Sequence, residues 1–125
     1  MEGKTITAMD TGLACVRMMA QLYRQPMDPQ ALAHEFAPAG KPFDGTAILR
    51  AMRTLGFTAE HQKCRYEALE RMPMPLIVEM SGEQFALVGK TNEQQVFLQM
   101  PGEERGRAMT RAEFEGKWTG SVITA

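Results

Sequence analysis

The chain has 125 residues, of which 44% are hydrophobic and 23% charged, proportions typical of one folded domain with a single core. Its 14 Lys and Arg side chains nearly balance 15 Asp and Glu, so the net charge of −1 provides no basic field for nucleic acid. Two cysteines allow at most one disulfide, which excludes a disulfide scaffold. We expect no secretory leader and no membrane span, because Lys4, Asp10 and Arg17 interrupt the N-terminal residues and no apolar run approaches about 18 residues.

Four side chains are of the types that bind zinc through nitrogen or sulfur, and they are Cys15, His34, His61 and Cys64. Only His61 and Cys64 have a spacing that zinc sites use, and two ligands are too few for such a site. We therefore expect no metal site in this chain. The two cysteines are expected to be free thiols, as in a reducing compartment.

The first predicted element is a helix over residues 11–24. Apolar side chains recur there at steps of three and four residues, which is the pattern of an amphipathic helix. Asp10 and Thr11 are both favoured N-cap types at its start, and the sequence does not choose between them. Pro26 ends the helix, because proline lacks an N–H and restricts the residue before it.

Two more helices follow before the pattern changes. Asp28-Pro29 pairs an N-cap type with proline at the first helical position, so a second helix begins there. A loop over residues 38–42 separates it from a third helix, for which Asp44 and Thr46 are alternative N-caps. Gly56 is expected to stop this third helix, since glycine readily adopts the left-handed conformation that ends helices.

The second half of the chain predicts a mostly antiparallel sheet with two short helices. Turn signals at Ser81-Gly82 and Thr91-Asn92 separate neighbouring strands. A short helix is predicted over residues 66–72, and a capping box from Thr110 to Glu113 opens another. The predicted strands cover residues 57–63, 76–80, 84–89, 95–99 and 121–124. Three helices followed by a sheet indicate an α+β domain.

Residue types alone identify no catalytic site. Asp10 and Asp44 are explained as helix caps, and the segment from Gly102 to Gly106 is acidic, the wrong sign for binding phosphate. Cys15 falls inside the first helix on its apolar side, where a thiol has no stabilisation of its thiolate. The 11 methionines fit two interpretations, core filling or an adaptable peptide-binding surface.

Short motifs along almost the whole chain carry a family resemblance. They are Asp10-Thr11-Gly12-Leu13-Ala14-Cys15, Ala20 to Tyr23, Asp44-Gly45-Thr46, Leu55-Gly56, Arg71 to Leu76, Gly82 to Val88, and Ala112 to Gly120. Each motif is short, but their order is specific. Together they resemble the papain-like peptidase domain that cleaves double-glycine leader peptides at the N-terminus of bacteriocin exporters. The resemblance implies a papain-like cysteine-peptidase fold with N-terminal helices packed on the sheet.

The catalytic residues of that family are replaced in this sequence. The resemblance places the catalytic cysteine at Thr11, the histidine at Gln84, and the orienting acid at Met100, before Pro101. The oxyanion-stabilising glutamine would stand at Thr5. A threonine hydroxyl needs a base to become a nucleophile, and neither glutamine nor methionine can exchange a proton at neutral pH. The resemblance therefore implies a degenerate domain that is not an enzyme.

Such degenerate domains stand at the N-terminus of ABC transporters in bacterial type I secretion systems. The resemblance implies a single domain over residues 1–125, excised from a longer transporter and located on the cytoplasmic side of the inner membrane. It implies no cofactor in this domain. The implied partners are an unfolded secreted protein, such as a repeats-in-toxin protein or adhesin, and the transporter's own transmembrane and nucleotide-binding domains. The candidate substrate-binding residues are Asp10, Thr11, Gln84, Phe85 and Met100.

Two alternative functions remain open at the level of sequence. The domain could regulate the ATPase of its transporter without binding substrate directly. It could also be an active leader peptidase or hydrolase that uses Cys15 or Thr11 as its nucleophile. Cleavage of a double-glycine peptide distinguishes the enzyme, and the basal ATPase rate of a transporter lacking the domain distinguishes the regulator.

Overall fold

A computed structural model describes residues 10–37 and 40–125 of the chain. These residues form five helices and six strands, an α+β arrangement as predicted. In chain order the elements are α1 (Thr11–Leu22), α2 (Pro29–Phe36), α3 (Gly45–Thr54), β1 (Glu60–Lys63), α4 (Tyr66–Leu69), β2 (Leu76–Met80), β3 (Gln84–Thr91), β4 (Gln95–Gln99), β5 (Arg107–Thr110), α5 (Arg111–Lys117) and β6 (Trp118–Thr124).

The strands form one sheet with the order β1-β6-β2-β3-β4-β5, and its neighbouring strands pair antiparallel. Successive side chains of a strand point to opposite faces, so the sheet has two cores. Phe85 and Leu87 of β3 face the core built with α1, α2 and α3. Ala86 and Val88 face the second core, which α4 and α5 cover with Tyr66 and other apolar residues.

The first three helices each begin directly after an aspartate. The carboxylates of Asp10, Asp28 and Asp44 accept hydrogen bonds from backbone N–H groups in the first turn, which otherwise lack a partner. Both alternatives left open by the sequence are thereby decided, since Asp10 rather than Thr11, and Asp44 rather than Thr46, is the N-cap. Within the described residues, no helix has the length and apolar character needed to cross a membrane.

Several predicted boundaries were wrong by a few residues. Helix α1 ends at Leu22, because Arg24 has a φ of 55° and cannot continue a right-handed helix. Strand β1 begins at Glu60 and helix α4 ends at Leu69, so both are shorter than predicted. Strand β6 begins at Trp118, which directly follows α5, rather than at residue 121.

Strand β5 was not predicted. It lies at one edge of the sheet and pairs with β4, with Leu98 opposite Arg107 and Val96 opposite Met109. Met109 is the only buried residue of its four. The segment Arg-Ala-Met-Thr also does not alternate apolar and polar side chains, which is the pattern that marks a half-buried strand. Pairing with β4, rather than local composition, defines this strand.

Candidate functional site

The start of α1 is held against the loop that precedes α3. Asp10 Oδ1 accepts a hydrogen bond from the Leu13 N–H at 3.0 Å, and both carboxylate oxygens accept from the Phe43 N–H at 3.2 and 3.1 Å. Gly12 permits this close approach, since a Cβ there would lie 2.8 Å from Phe43 Cβ. The Asp-Thr-Gly motif therefore fixes the direction in which Thr11 points.

Thr11 joins α1 to the sheet. Its hydroxyl oxygen accepts a hydrogen bond from the Phe85 N–H at 2.9 Å, and the residue is 8% exposed. The ring of Phe85 is buried in the core that α1 shares with the sheet. These two candidate substrate-binding residues therefore lie together, but the Phe85 ring is buried and its N–H is bonded to Thr11.

Gln84 and Met100 approach this corner from the other face of the sheet. Gln84 is exposed at the start of β3 and shares its strand face with Ala86. The register pairs Leu87 with Gln99, and continuing it by one residue places Met100 opposite Ala86 and diagonal to Gln84. By the strand register and the Thr11–Phe85 hydrogen bond, the three positions that the resemblance assigns to a catalytic triad lie near the start of α1 and β3 and the end of β4. We call these three positions the triad corner.

The thiol of α1 lies in the core, one turn beyond the triad corner. Cys15 is fully buried, and this burial raises the pKa of its thiol to about 12, with a further contribution from the Asp10 carboxylate. At neutral pH the group is a protonated thiol and a poor nucleophile. Thr5, the position assigned to the oxyanion-stabilising residue, lies outside the described residues.

An apolar groove lies beside α1, on the face of the sheet that α1 covers in part. Two adjoining hollows of about 400 and 380 Å³ share Leu22, Leu87 and Gln99 in their lining. Leu22 is 59% exposed and Phe97 37% exposed, so the groove presents apolar surface to solvent. We call it the α1–β4 groove and define it by Met18, Gln21 and Leu22 of α1, Leu87 of β3, and Phe97 and Gln99 of β4.

Sequence reasoning missed this groove and its residues. The sequence pattern places Leu22 in a helix and indicates an ordinary half-buried strand for β4. The only local signal is the alternation in β4, where Phe97 faces the groove while Val96 and Leu98 are buried in the second core. Whether α1 covers that face depends on how the helix sits on β3, which no single segment specifies.

A third hollow, of about 350 Å³, lies on the opposite face of the sheet beside Tyr66. The guanidinium of Arg111 covers the Tyr66 ring at 4.6 Å and forms ion pairs with Glu67 and Glu115. The Tyr66 hydroxyl donates to the Asn92 carbonyl oxygen at 2.8 Å. Because Arg111 of α5 pairs with Glu67 of α4, this cluster ties the two helices together. Across the described parts of the chain, no three His, Cys, Asp or Glu side chains are grouped to hold a metal ion.

Comparison with known proteins gives a family and a set of relatives. The family model described as the peptidase C39 family matches residues 4–125. The chain is 32% identical over 117 residues to the cyclolysin secretion/processing ATP-binding protein CyaB of Bordetella pertussis. It is 28% identical over 116 residues to the leukotoxin translocation ATP-binding protein LktB of Mannheimia haemolytica. Each match covers 91% of this chain and 16% of the relative, so the chain spans about a sixth of these proteins.

Solved structures with the same fold are similar over nearly the whole chain. A double glycine motif protease from an AMS/PCAT transporter, in complex with a leader peptide, matches 96% of this chain and 86% of its own, with a TM-score of 0.83 and 16% identity. The N-terminal peptidase C39-like domain of a toxin secretion ATP-binding protein from Vibrio parahaemolyticus matches 94% of this chain and 97% of its own, with a TM-score of 0.74 and 16% identity. The predicted papain-like fold is thereby confirmed.

Proposed function

Since the chain belongs to the peptidase C39 family, we propose that it is a non-catalytic member that binds an unfolded secreted protein for a type I secretion ABC transporter. The relatives CyaB and LktB are named for secretion and translocation of toxins, which supports a role in export. In this proposal the domain stands at the cytoplasmic face of the bacterial inner membrane. It precedes the transmembrane and nucleotide-binding domains and holds the substrate before transport.

The hydrogen bond between Thr11 and the Phe85 N–H is the observation that carries the non-catalytic part of the proposal. A nucleophile must be free to attack and must lose its proton to a base. The Thr11 hydroxyl is buried and engaged with the strand, while Gln84 and Met100 have no ionisable group to act as base or orienting acid. Cys15 supplies no substitute, because its thiol is protonated and enclosed in the core.

The α1–β4 groove supports the binding part of the proposal. An unfolded polypeptide exposes apolar side chains. The groove, whose lining includes exposed Leu22 and Phe97, can bury those side chains of the polypeptide. Arg107 also lines the groove and, among the described residues, forms an ion pair only with the exposed carboxylate of Glu103, at 3.5 Å. Because the lining is mainly apolar, the proposed occupant is an apolar segment of the secreted protein, which arrives unfolded.

A titration of the 125-residue chain with an unfolded C-terminal fragment of the secreted protein tests this function. The amide signals of an isotope-labelled sample should shift along α1, β3 and β4, at the groove. Leu22→Ser should weaken binding at least about fivefold, since it removes an exposed leucine that binding would bury. Tyr23→Ser is the matched control, because Tyr23 is similarly exposed, at 52%, but packs against Phe57 rather than lining the groove.

Two results would contradict the proposal. One is the absence of shifts at several hundred micromolar fragment. The other is a cleaved fragment, or a cleaved double-glycine peptide, in the mass spectrum after incubation with the wild-type chain. Cleavage lost in Thr11→Ala or Cys15→Ala would identify an enzyme and its nucleophile.

A further inference from the structure

Gln99 is the polar residue among the three, with Leu22 and Leu87, that line both hollows of the α1–β4 groove. Its Nε2 donates hydrogen bonds to the carbonyl oxygens of Met100, at 3.2 Å, and Glu103. Both partners are acceptors, so the N–H₂ end of the carboxamide must face the loop and the Oε1 end must point away from these two carbonyls. Within the described residues, all hydrogen bonds of this side chain use Nε2.

Gly106, which also lines the groove, lies beside Gln99 Oε1. A Cβ added at Gly106 would lie 3.6 Å from Gln99 Oε1 and 3.3 Å from the Leu98 carbonyl oxygen. Glycine at this position therefore places no side chain against the oxygen. The groove contains an oriented hydrogen-bond acceptor, fixed by the loop, beside the apolar side chains of Leu87, which is paired with Gln99, and Phe97, two residues away on β4.

We propose that Gln99 is a specificity-determining residue that selects an extended segment of the substrate by accepting one of its backbone N–H groups. This inference rests on the proposed function and deepens it. An apolar occupant that covers Oε1 without supplying a donor leaves a buried acceptor unpaired, which weakens binding. An extended segment has free backbone N–H groups, whereas the interior N–H groups of a helix are already bonded within the helix.

The side chains around Gln99 fit the same geometry. Alternate side chains of an extended segment point to one side, so two of them can contact Leu87 and Phe97 while the N–H between them meets Oε1. The selected chemistry is that of an unfolded polypeptide with spaced apolar residues. No particular sequence is required, because the polar contact is made to the backbone.

A double-mutant cycle between the protein and the peptide backbone tests this inference. The probe is an acetylated nonapeptide amide of alternating leucine and serine, with a series in which each backbone N–H in turn is N-methylated. Affinities are measured by NMR for the wild-type 125-residue chain, for Gln99→Met, and for Gln95→Met. Gln95 is the matched control, since it lies on the same strand face of β4 but outside the groove.

The peptide that is N-methylated at one particular position should bind the wild type and Gln95→Met about tenfold more weakly than the unmodified peptide does. A loss of this size is expected when one hydrogen bond is removed. Gln99→Met should bind the unmodified peptide about tenfold more weakly and show no further loss on N-methylation at that position. Amide spectra in which the changes stay within residues 98–107 would establish that Gln99→Met folds normally.

The outcomes separate this inference from the function on which it rests. Equal N-methylation losses in the wild type and Gln99→Met would overturn the role of Gln99 and leave substrate binding intact. That role is also overturned if an isomer of the peptide, stapled as a helix with its leucines on one face, binds the wild type more tightly than the extended probe. If the wild type binds neither the peptides nor the secreted fragment, the proposed function itself fails and this inference fails with it.

Discussion

Thr11 occupies the first position of α1, where the helix N-terminus stabilises an anionic side chain such as a thiolate. A threonine hydroxyl cannot use this stabilisation at neutral pH, because its proton is held far more tightly than that of a thiol. The structure gives the oxygen another partner, the Phe85 N–H of β3. At the scale of one residue, the position that would suit a reactive group instead holds a helix against a strand.

Thr11→Val should destabilise the domain by about 1–3 kcal/mol, because valine has nearly the same shape but leaves the buried Phe85 N–H without an acceptor. Urea unfolding followed by circular dichroism measures this free energy. Thr11→Ser keeps the acceptor and is the control, with a much smaller loss expected. If valine and serine destabilise the chain equally, the hydrogen bond contributes nothing measurable.

At the scale of the elements, helices with local start signals were predicted correctly. Asp10, Asp28 and Asp44 cap the first three helices, and the capping box of α5 is complete: Glu113 N–H donates to the Thr110 hydroxyl, and Thr110 N–H donates to the Glu113 carboxylate. Such signals act within four residues, so one sequence contains them fully.

Thr110→Ala should lower the free energy of unfolding by about 1 kcal/mol, since alanine cannot accept the Glu113 N–H and leaves the first turn of α5 uncapped. The measurement is urea unfolding, with Thr58→Ala as the matched control, because Thr58 is an exposed threonine outside any helix or strand. The control should change stability by no more than about 0.5 kcal/mol. An equal loss in both variants would show that the cap does not stabilise α5.

Features that depend on contacts between distant segments were not predictable from sequence. Strand β5 exists because it pairs with β4, and its own residues show no alternation of burial. The α1–β4 groove forms where α1 leaves part of β4 uncovered, so the shared exposure of Leu22 and Phe97 is seen only in the folded chain. A family resemblance, rather than periodicity, pointed to Thr11, Gln84 and Met100 as the triad positions, and their assignment stays a prediction.

At the scale of the whole molecule, α1 links the triad corner to the groove. Thr11 begins the helix at the corner, and Leu22 ends it in the groove, about 16 Å away at 1.5 Å per residue. The same packing of α1 on β3 therefore holds both regions in place. Under the proposed function, side-chain replacement at one end can remove chemistry while the groove at the other end is kept, because the same backbone positions both.

This separation predicts that a reactive thiol can be introduced into the scaffold. In a Cys64→Ser background, the combination of Thr11→Cys, Gln84→His and Met100→Asp should be alkylated by iodoacetamide at pH 6 at least about tenfold faster than Thr11→Cys alone. The introduced imidazole, oriented by the introduced carboxylate, stabilises the thiolate and lowers the pKa of the new thiol. Lowering the pH from 8 to 6 should then slow the single variant much more than the combination, since only the combination keeps its thiolate.

Peptide mapping by mass spectrometry distinguishes the introduced thiol from Cys15, which is buried and has a pKa of about 12, so that it reacts only after unfolding. The matched control is the combination without Met100→Asp, in which the imidazole has lost its orienting group and alkylation should be intermediate. Equal rates in all three variants would mean that positions 84 and 100 do not face the start of α1. The corner inferred from the β3–β4 register and the Thr11 hydrogen bond would then be wrong.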